Sequence, residues 1–142
     1  MKNKKIISEI MTKEVQNIDA ATSVQVAEQL FKEKKIRHLP VVSKGKLVGM
    51  LSLTDILRMS FGDTYGTAQY DIDNTVFDML NVGQIMKANP TTVATTSNIK
   101  EVAELLTKEE FHALPVVNQK NSLVGIVTTT DIIEYLLQFN IE

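Results

Sequence analysis

Two short stretches of the sequence place hydroxyls and a carboxylate at the same spacing. Each has a hydroxyl residue, then a threonine and an aspartate: Ser52, Thr54 and Asp55 in the first, and Thr128, Thr130 and Asp131 in the second. A carboxylate there can accept charge-assisted hydrogen bonds from both hydroxyls of a ribose. The threonines, with N–H groups at the start of a helix, can contact a phosphate. The same pattern is also typical of a simple helix cap.

The two stretches belong to an internal repeat that covers most of the chain. The matching segments are Ile10-Met11 with Ile85-Met86, Leu39–Val42 with Leu114–Val117, Leu47–Gly49 with Leu123–Gly125, and Thr54–Ile56 with Thr130–Ile132. The register changes once, by a residue inserted between Asn118 and Ser122. That stretch aligns with Ser43–Lys46, which reads as a hairpin turn, where an insertion is tolerated. Matched segments in one order indicate a duplicated unit.

Each copy is predicted to fold as a β-α-β-β-α unit with a three-stranded sheet. The helices are indicated by apolar residues at helical spacing, and the strands by apolar runs on both sides of the turn. We assign residues 1–60 to the first repeat, 61–81 to a linker with a short helix starting near Asn74, and 82–142 to the second repeat. One unit buries little surface alone, so the two should pack together as one α/β protein.

Gly49 and Gly125 occupy matching positions in the central strands of the two copies. A glycine leaves room for a flat base to approach the backbone. It can equally serve strand packing or a β-bulge. The sequence leaves both interpretations open.

Composition narrows the class of function. The 142 residues carry a net charge of −2 and no cysteine, which excludes disulfides and Cys-ligated metal sites. No apolar run is long enough for a membrane span, so a soluble cytoplasmic protein is expected. Basic residues do not form a dense run and aromatic residues are not interleaved with them, so no nucleic acid is expected as a partner. No nucleophile–base pair or P-loop is visible, and we expect neither an enzyme nor a metal site.

The doubled pattern resembles a known family. The two IM…LPVV…LVG…[ST]-x-x-D-I segments are similar to a tandem pair of cystathionine-β-synthase (CBS) domains, the Bateman module. The resemblance implies two CBS repeats packed with pseudo-two-fold symmetry. It also implies that the chain regulates an attached or partner protein. The ligand would be AMP, ADP or ATP, or sometimes S-adenosylmethionine or a cyclic dinucleotide, in a cleft between the repeats. The signal would pass to an unidentified effector protein.

By resemblance, each site draws on both repeats. The first would combine Ser52, Thr54 and Asp55 with Arg37 or His38 at the phosphate and with a wall from Ala88–Val93, including Pro90 and Thr92. The second would combine Thr128, Thr130 and Asp131 with His112, Ala113 and the loop Lys13–Ile18, including Val15. Ala113 stands where the first copy has His38, and the first half of the chain is the more basic. We therefore expect the site at Asp55 to be better equipped for a nucleotide.

The alternative is an interaction module without a ligand. The family often pairs through its helices, and the helices here carry surplus apolar residues, namely Phe31, Met59, Tyr135, Leu136, Leu137 and Phe139. A homodimer is expected under either interpretation.

Overall fold

A computed structural model describes residues 6–61, 79–108 and 112–139, with only the backbone described at 59–61. The helices are α1 (Val24–Lys34), α2 (Leu53–Phe61), α3 (Val82–Ile85), α4 (Ile99–Lys108) and α5 (Thr129–Leu136), preceded by a 3₁₀ turn at Ile7–Glu9. The strands are β1 (Ile18–Asp19), β2 (His38–Ser43), β3 (Lys46–Ser52), β4 (Lys87–Ala88), β5 (Val93–Ala94), β6 (Ala113–Val117) and β7 (Leu123–Thr128).

The turns between paired strands lie where the sequence predicts hairpin turns. Ser43 pairs with Lys46, and both intervening residues, Lys44 and Gly45, have positive φ angles of 52° and 81°. A two-residue loop of this kind matches the twist of an antiparallel hairpin. In the second copy Asn118 organises the longer loop, since its side chain accepts from the N–H groups of Lys120 and Ser122. The inserted residue is accommodated in this loop, as predicted.

The chain divides into two compact units, and each is built from both repeats. One unit contains Gln16–Pro90, and the other contains the segment up to Val15 together with the chain from Thr91 onward. The leading segments, residues 6–12 of the first repeat and 82–88 of the second, therefore each pack on the sheet of the other repeat. We call this the exchange of leading segments. The sequence repeats and the compact units have different boundaries for this reason.

In the Gln16–Pro90 unit, the leading segment of the second repeat completes the first sheet. The strand order is β1-β2-β3-β4, with β1 parallel to β2 and the remaining pairs antiparallel. In register, Ala88 lies opposite Gly49 and Lys87 opposite Met50. The prediction of three strands is wrong for this sheet, because the chain after α3 uses the otherwise open edge of β3.

In the other unit, the same exchange runs in the opposite direction. Its sheet has the order β5-β6-β7, and Thr12 forms an isolated antiparallel bridge to Ile126 on the outer edge of β7. The two backbone hydrogen bonds of that bridge are 2.8 and 3.0 Å long. The Ile7 N–H also donates to the Ser97 carbonyl at 2.8 Å. Three strands are found here, as predicted, with the first repeat's leading segment beside them.

Each unit has its own apolar core, and the exchanged segments contribute to both. Ile7 is fully buried with residues of α4, β6 and β7, and Val82 is fully buried with residues of α1, β2 and β3. These two side chains occupy matching repeat positions. Burying one such side chain stabilises the fold by about 1.5–3 kcal/mol. The leading segments are therefore part of the core and fix β3 and β7 from their outer edges.

The predicted helix faces are confirmed, since Val24, Ala27 and Phe31 are buried in α1 and Ile99, Val102 and Leu106 in α4. Ser23 caps α1 through the Val26 N–H, and the Asn98 side chain accepts from the Glu101 N–H at 2.8 Å. The predicted short helix near Asn74 and the side chain of Met59 lie outside the described residues.

Candidate functional site

The strand-to-helix turns of the two repeats have the same hydrogen bonds. The Asp55 N–H donates to the Ser52 hydroxyl at 3.1 Å, and the Ser52 N–H donates to Asp55 Oδ2 at 3.0 Å. In the second repeat, the Asp131 N–H donates to the Thr128 hydroxyl at 3.1 Å, and the Thr128 N–H donates to Asp131 Oδ2 at 2.9 Å. Each pair forms a reciprocal capping box. The capping role of both aspartates is thus observed, and it occupies one carboxylate oxygen of each.

Backbone N–H groups at the start of each helix are partly engaged. The Leu53 N–H donates to the carbonyl of Arg37 at 2.9 Å, and the Thr129 N–H donates to the carbonyl of His112 at 3.1 Å. Within the described ranges, the N–H groups of Thr54 and Thr130 have no acceptor. Both threonines are exposed. Each helix therefore presents one unpaired N–H and an adjacent hydroxyl at its positive end, which suits an anion.

The second carboxylate oxygen differs between the repeats. Asp55 Oδ1 accepts from an Arg58 guanidinium nitrogen at 3.2 Å, with the Asp55 side chain 10% exposed and that of Arg58 64% exposed. The matching residue to Arg58 in the second repeat is Glu134. Within the described ranges no cation pairs with Asp131. Sequence reasoning missed Arg58, although the i, i+3 spacing of Asp and Arg on one helix was a usable signal.

The strand residues beside the capping boxes follow the predicted alignment. His38 lies opposite Ser52 in the β2–β3 register, and Ala113 lies opposite Thr128 in the β6–β7 register. The first turn thus has an imidazole beside it where the second has a buried methyl group. Arg37 and His112 precede these positions, and both are exposed.

The two glycines are explained by packing. A Cβ on Gly49 would collide with the sulfur of Met86 and lie 3.0 Å from the Lys87 carbonyl oxygen. A Cβ on Gly125 would lie 2.5 Å from the Met11 sulfur and 3.0 Å from the Thr12 carbonyl oxygen. Each glycine also lies where the strand pairing shifts register. On the face of the strand where a Cβ would lie, a methionine of the leading segment fills the space at each glycine. A flat base therefore cannot approach either glycine from that face.

The structure distributes the remaining predicted site residues between the two units. Pro90 belongs to the same unit as Asp55. It follows β4, and because β4 is antiparallel to β3, the chain after β4 continues away from Ser52 at the end of β3. Val15 belongs to the unit of Asp131, whereas Thr92 lies in a different unit from Asp55. Pro90, Val15 and Thr92 are all half-buried. The described contacts bring together Arg37, His38, Ser52, Thr54 and Asp55, and separately His112, Ala113, Thr128, Thr130 and Asp131.

Comparison with known proteins agrees with the geometry of the repeats. The family model described as CBS domain matches residues 7–62 and again 82–138. The chain belongs to the CBS domain family. A relative in Methanocaldococcus jannaschii, the uncharacterized protein MJ0188, is 32% identical over 129 residues, which is 89% of this chain and 42% of that protein. The chain therefore spans less than half the length of this relative.

Solved structures of CBS pairs have the same fold. CBSX2 from Arabidopsis thaliana in complex with AMP matches with a TM-score of 0.79 and 32% identity, covering 94% of this chain and 96% of that one. The CBS domain pair of protein MJ0100 in complex with 5′-methylthioadenosine and S-adenosyl-L-methionine matches with a TM-score of 0.76 and 25% identity, covering 93% and 99%. CBS pairs similar to this one therefore bind adenosine compounds.

In the described parts of the chain, no helix is both long enough and apolar enough to cross a membrane. No group of three or more His, Cys, Asp or Glu side chains in those parts is placed to hold a metal ion.

Proposed function

We propose that this CBS pair is a regulatory module that binds an adenosine-containing ligand at its strand-to-helix turns and signals its occupancy to a partner. The observation that carries the proposal is the doubled turn, with a carboxylate held at the base of a helix beside an unpaired N–H and an exposed threonine. The complex of the related CBSX2 with AMP supports the same ligand class. AMP, ADP and ATP all have the ribose and phosphate that such a turn recognises.

Each residue of the first turn has a role in this proposal. Asp55 accepts hydrogen bonds from the ribose hydroxyls, which requires lone pairs beyond the one used by the Ser52 N–H. Thr54 donates from its N–H and hydroxyl to the phosphate, with Arg37 or His38 as a further partner. Asp131 has the same role toward a ribose in the second turn, beside His112 and Ala113, where the N–H and hydroxyl of Thr130 are the matching donors. Val15, which lies in the unit of Asp131, is the proposed wall of the adenine pocket at the second turn.

A thermal-shift panel tests the proposal directly. The purified chain would be heated with AMP, ADP, ATP, adenosine, S-adenosylmethionine and cyclic dinucleotides at millimolar concentration. A ligand at about 100 times its dissociation constant should stabilise the folded state by about 2.7 kcal/mol, which raises the melting temperature measurably. GMP serves as the matched control for AMP, since it has the same ribose and phosphate with a different base. No shift with any adenosine compound would contradict the proposal.

The effector that receives the signal is proposed to lie outside this sequence. Such a module acts by population shift, so the ligand must have different affinities for the effector-bound and free states. The chain itself is proposed to regulate and not to catalyse. Turnover of ATP or AMP by the purified chain, followed by chromatography, would contradict this part.

Exposed apolar residues favour an interaction module as the second candidate function. Ile133, Leu136, Leu137 and Phe139 are exposed on α5 and the turn after it, and Leu57 is exposed at the position of α2 that matches Ile133. We propose that the exposed apolar residues of α5 and the turn after it take part in a homodimer, with or without ligand. Light scattering at high micromolar concentration should give twice the mass of 15.9 kDa. Leu137→Lys, at a residue 68% exposed, should lower the dimer fraction without unfolding the chain. A monomer mass for the unmodified chain would contradict the homodimer.

A further inference from the structure

The charges around the two capping boxes differ, although the boxes themselves are the same. Arg58 contacts Asp55, and the Arg37 carbonyl accepts from the Leu53 N–H at the start of the same helix. These two cations and one carboxylate together have one net positive charge. At the matching positions of the second repeat stand Glu134, the exposed His112 and Asp131. With histidine neutral, this group has a net charge of −2.

The charge difference lies within reach of a ligand. The Arg58 guanidinium is 3.2 Å from Asp55 Oδ1, the carboxylate proposed to hold the ribose, and 64% of that side chain is exposed. In a nucleotide the 5′ phosphate is only a few ångströms from the ribose hydroxyls that Asp55 is proposed to bind. At such separations a unit charge still contributes, because the distance is shorter than the Debye length of about 8 Å at physiological ionic strength.

We infer that Arg58 and Glu134 determine ligand charge, so that the turn at Asp55 selects a phosphorylated adenosine and the turn at Asp131 an uncharged or cationic one. The inference rests on the proposed function, because it assigns the two sites of that function to two classes of adenosine compound. The ribose is recognised by the same carboxylate geometry in both. Discrimination comes from the residue three positions further along each helix.

The two carboxylates also differ in how they are held. Arg58 occupies an Oδ1 lone pair of Asp55 and fixes that carboxylate, while leaving further donors of its planar guanidinium for a phosphate. Asp131 has only the Thr128 N–H as a donor within the described residues, so its other oxygen can accept from a ligand hydroxyl without displacing a cation. Glu134 would repel a phosphate there. An adenosine compound with a sulfonium or no charge avoids that repulsion.

The experiment isolates one site at a time and compares AMP with adenosine, which differ only in the phosphate. Asp131→Asn leaves the first turn intact, and Asp55→Asn leaves the second. Isothermal titration then gives the ratio of AMP to adenosine affinity in each background. We expect this ratio to be above one with the first turn intact and below one with the second.

Arg58→Ala in the Asp131→Asn background is the decisive variant. It should lower AMP affinity roughly tenfold, as expected for losing one charge near a dianion in a surface environment, and change adenosine affinity less than about twofold. Arg58→Lys should retain most of the preference for AMP. Lys32→Ala, which removes an exposed charge from α1, is the matched control and should change neither affinity. Glu134→Gln in the Asp55→Asn background should raise AMP affinity.

The outcomes separate this inference from the proposed function. If the unmodified chain binds neither AMP nor adenosine, the proposed function fails and this inference fails with it. If it binds them but Arg58→Ala leaves the AMP-to-adenosine ratio unchanged, only the inference is overturned. A rise in AMP affinity for Arg58→Ala would also overturn it, since Arg58 would then compete with the ligand for Asp55.

Discussion

The turn from β3 into α2 and the turn from β7 into α5 have the same backbone and different surroundings. Both have a hydroxyl and a carboxylate that exchange hydrogen bonds with N–H groups three residues apart. Both have a glycine under a methionine from the other repeat. Among the described residues, the first turn alone has an arginine on its carboxylate and a histidine on the neighbouring strand. In this chain the two repeats therefore have the same backbone hydrogen bonds and glycine contacts, but different charged residues around the two turns.

The residues that stabilise the two turns are therefore distinct from the residues that could select a ligand there. The capping box and the methionine-on-glycine contact stabilise a helix start and a strand edge, and both copies need them equally. The residues that differ are exposed or half-buried, with the exception of Ala113. Changes at such positions usually cost little stability, so the residues around the two turns can differ while both caps are kept.

The largest expected effect is on nucleotide binding. Asp55→Ala should remove two charge-assisted hydrogen bonds to the ribose, each worth roughly 1.5–3 kcal/mol. Even the lower figure for the pair lowers AMP affinity more than a hundredfold. Asp131→Ala should cost the AMP site little, because AMP is expected at the first turn. Isothermal titration of AMP against both variants measures the contrast.

Stability must be measured alongside, because each substitution also removes half of a capping box. That loss is worth about 1 kcal/mol in either repeat. The melting temperatures of the ligand-free variants therefore serve as the control. If Asp131→Ala abolishes AMP binding and Asp55→Ala leaves it intact, the order of the two sites is the reverse of our prediction.

The next effect concerns the glycines, where the two repeats should behave alike. Gly49→Ala and Gly125→Ala would each place a methyl group against a methionine side chain and 3.0 Å from a backbone carbonyl oxygen. Overpacking of this kind costs about 1–3 kcal/mol, because the backbone of the exchanged segment must move. Urea denaturation of the two variants measures the loss.

Gly83→Ala is the milder matched substitution, since its Cβ would lie 3.3 Å from the nearest heavy atom, the Ala20 carbonyl oxygen. It should destabilise the fold less than Gly49→Ala. Met86→Ala should cost less in the Gly49→Ala background than alone, because it removes one of the two colliding groups. Additive effects in that double-mutant cycle would contradict the proposed contact.

The caps come next in size, and again the repeats should agree. Ser52→Ala and Thr128→Ala each leave an aspartate N–H without its side-chain acceptor, which should cost about 1 kcal/mol. The exchanges Ser52→Thr and Thr128→Ser keep the hydroxyl and should be nearly neutral. Thermal denaturation of the four variants tests this. A loss in one repeat only would show that the two boxes are not equivalent in energy.

The sequence predicted the elements and the turns well because their signals are local. Apolar spacing in the helices, apolar runs in the strands and the turn residues between them all act within a few residues of the chain. The exchange of leading segments was not predicted, because a repeat in sequence does not indicate which copy of a sheet edge a segment will choose. Gly49 was ambiguous for the same reason, since the residue above it, Met86, is distant in sequence. Arg58 lies outside the repeated motif, and its contact with Asp55 depends on the rotamers of both side chains, which the sequence does not determine.

The smallest expected effect decides what Arg58 is for. An exposed ion pair contributes about 0–1 kcal/mol, and this one joins a 64% exposed arginine to Asp55 over 3.2 Å. Arg58→Ala should therefore lower the free energy of unfolding by no more than about 0.5 kcal/mol, a loss comparable to that of an exposed helix pair. Asp55→Ala should cost more, since it also removes the acceptor for the Ser52 N–H. Urea denaturation of the two variants and of Arg58→Lys supplies the comparison. A loss for Arg58→Ala as large as that for Asp55→Ala would make the arginine a structural partner of the cap. A small loss together with a changed preference between AMP and adenosine would assign it to ligand selection, which a helix cap alone cannot produce.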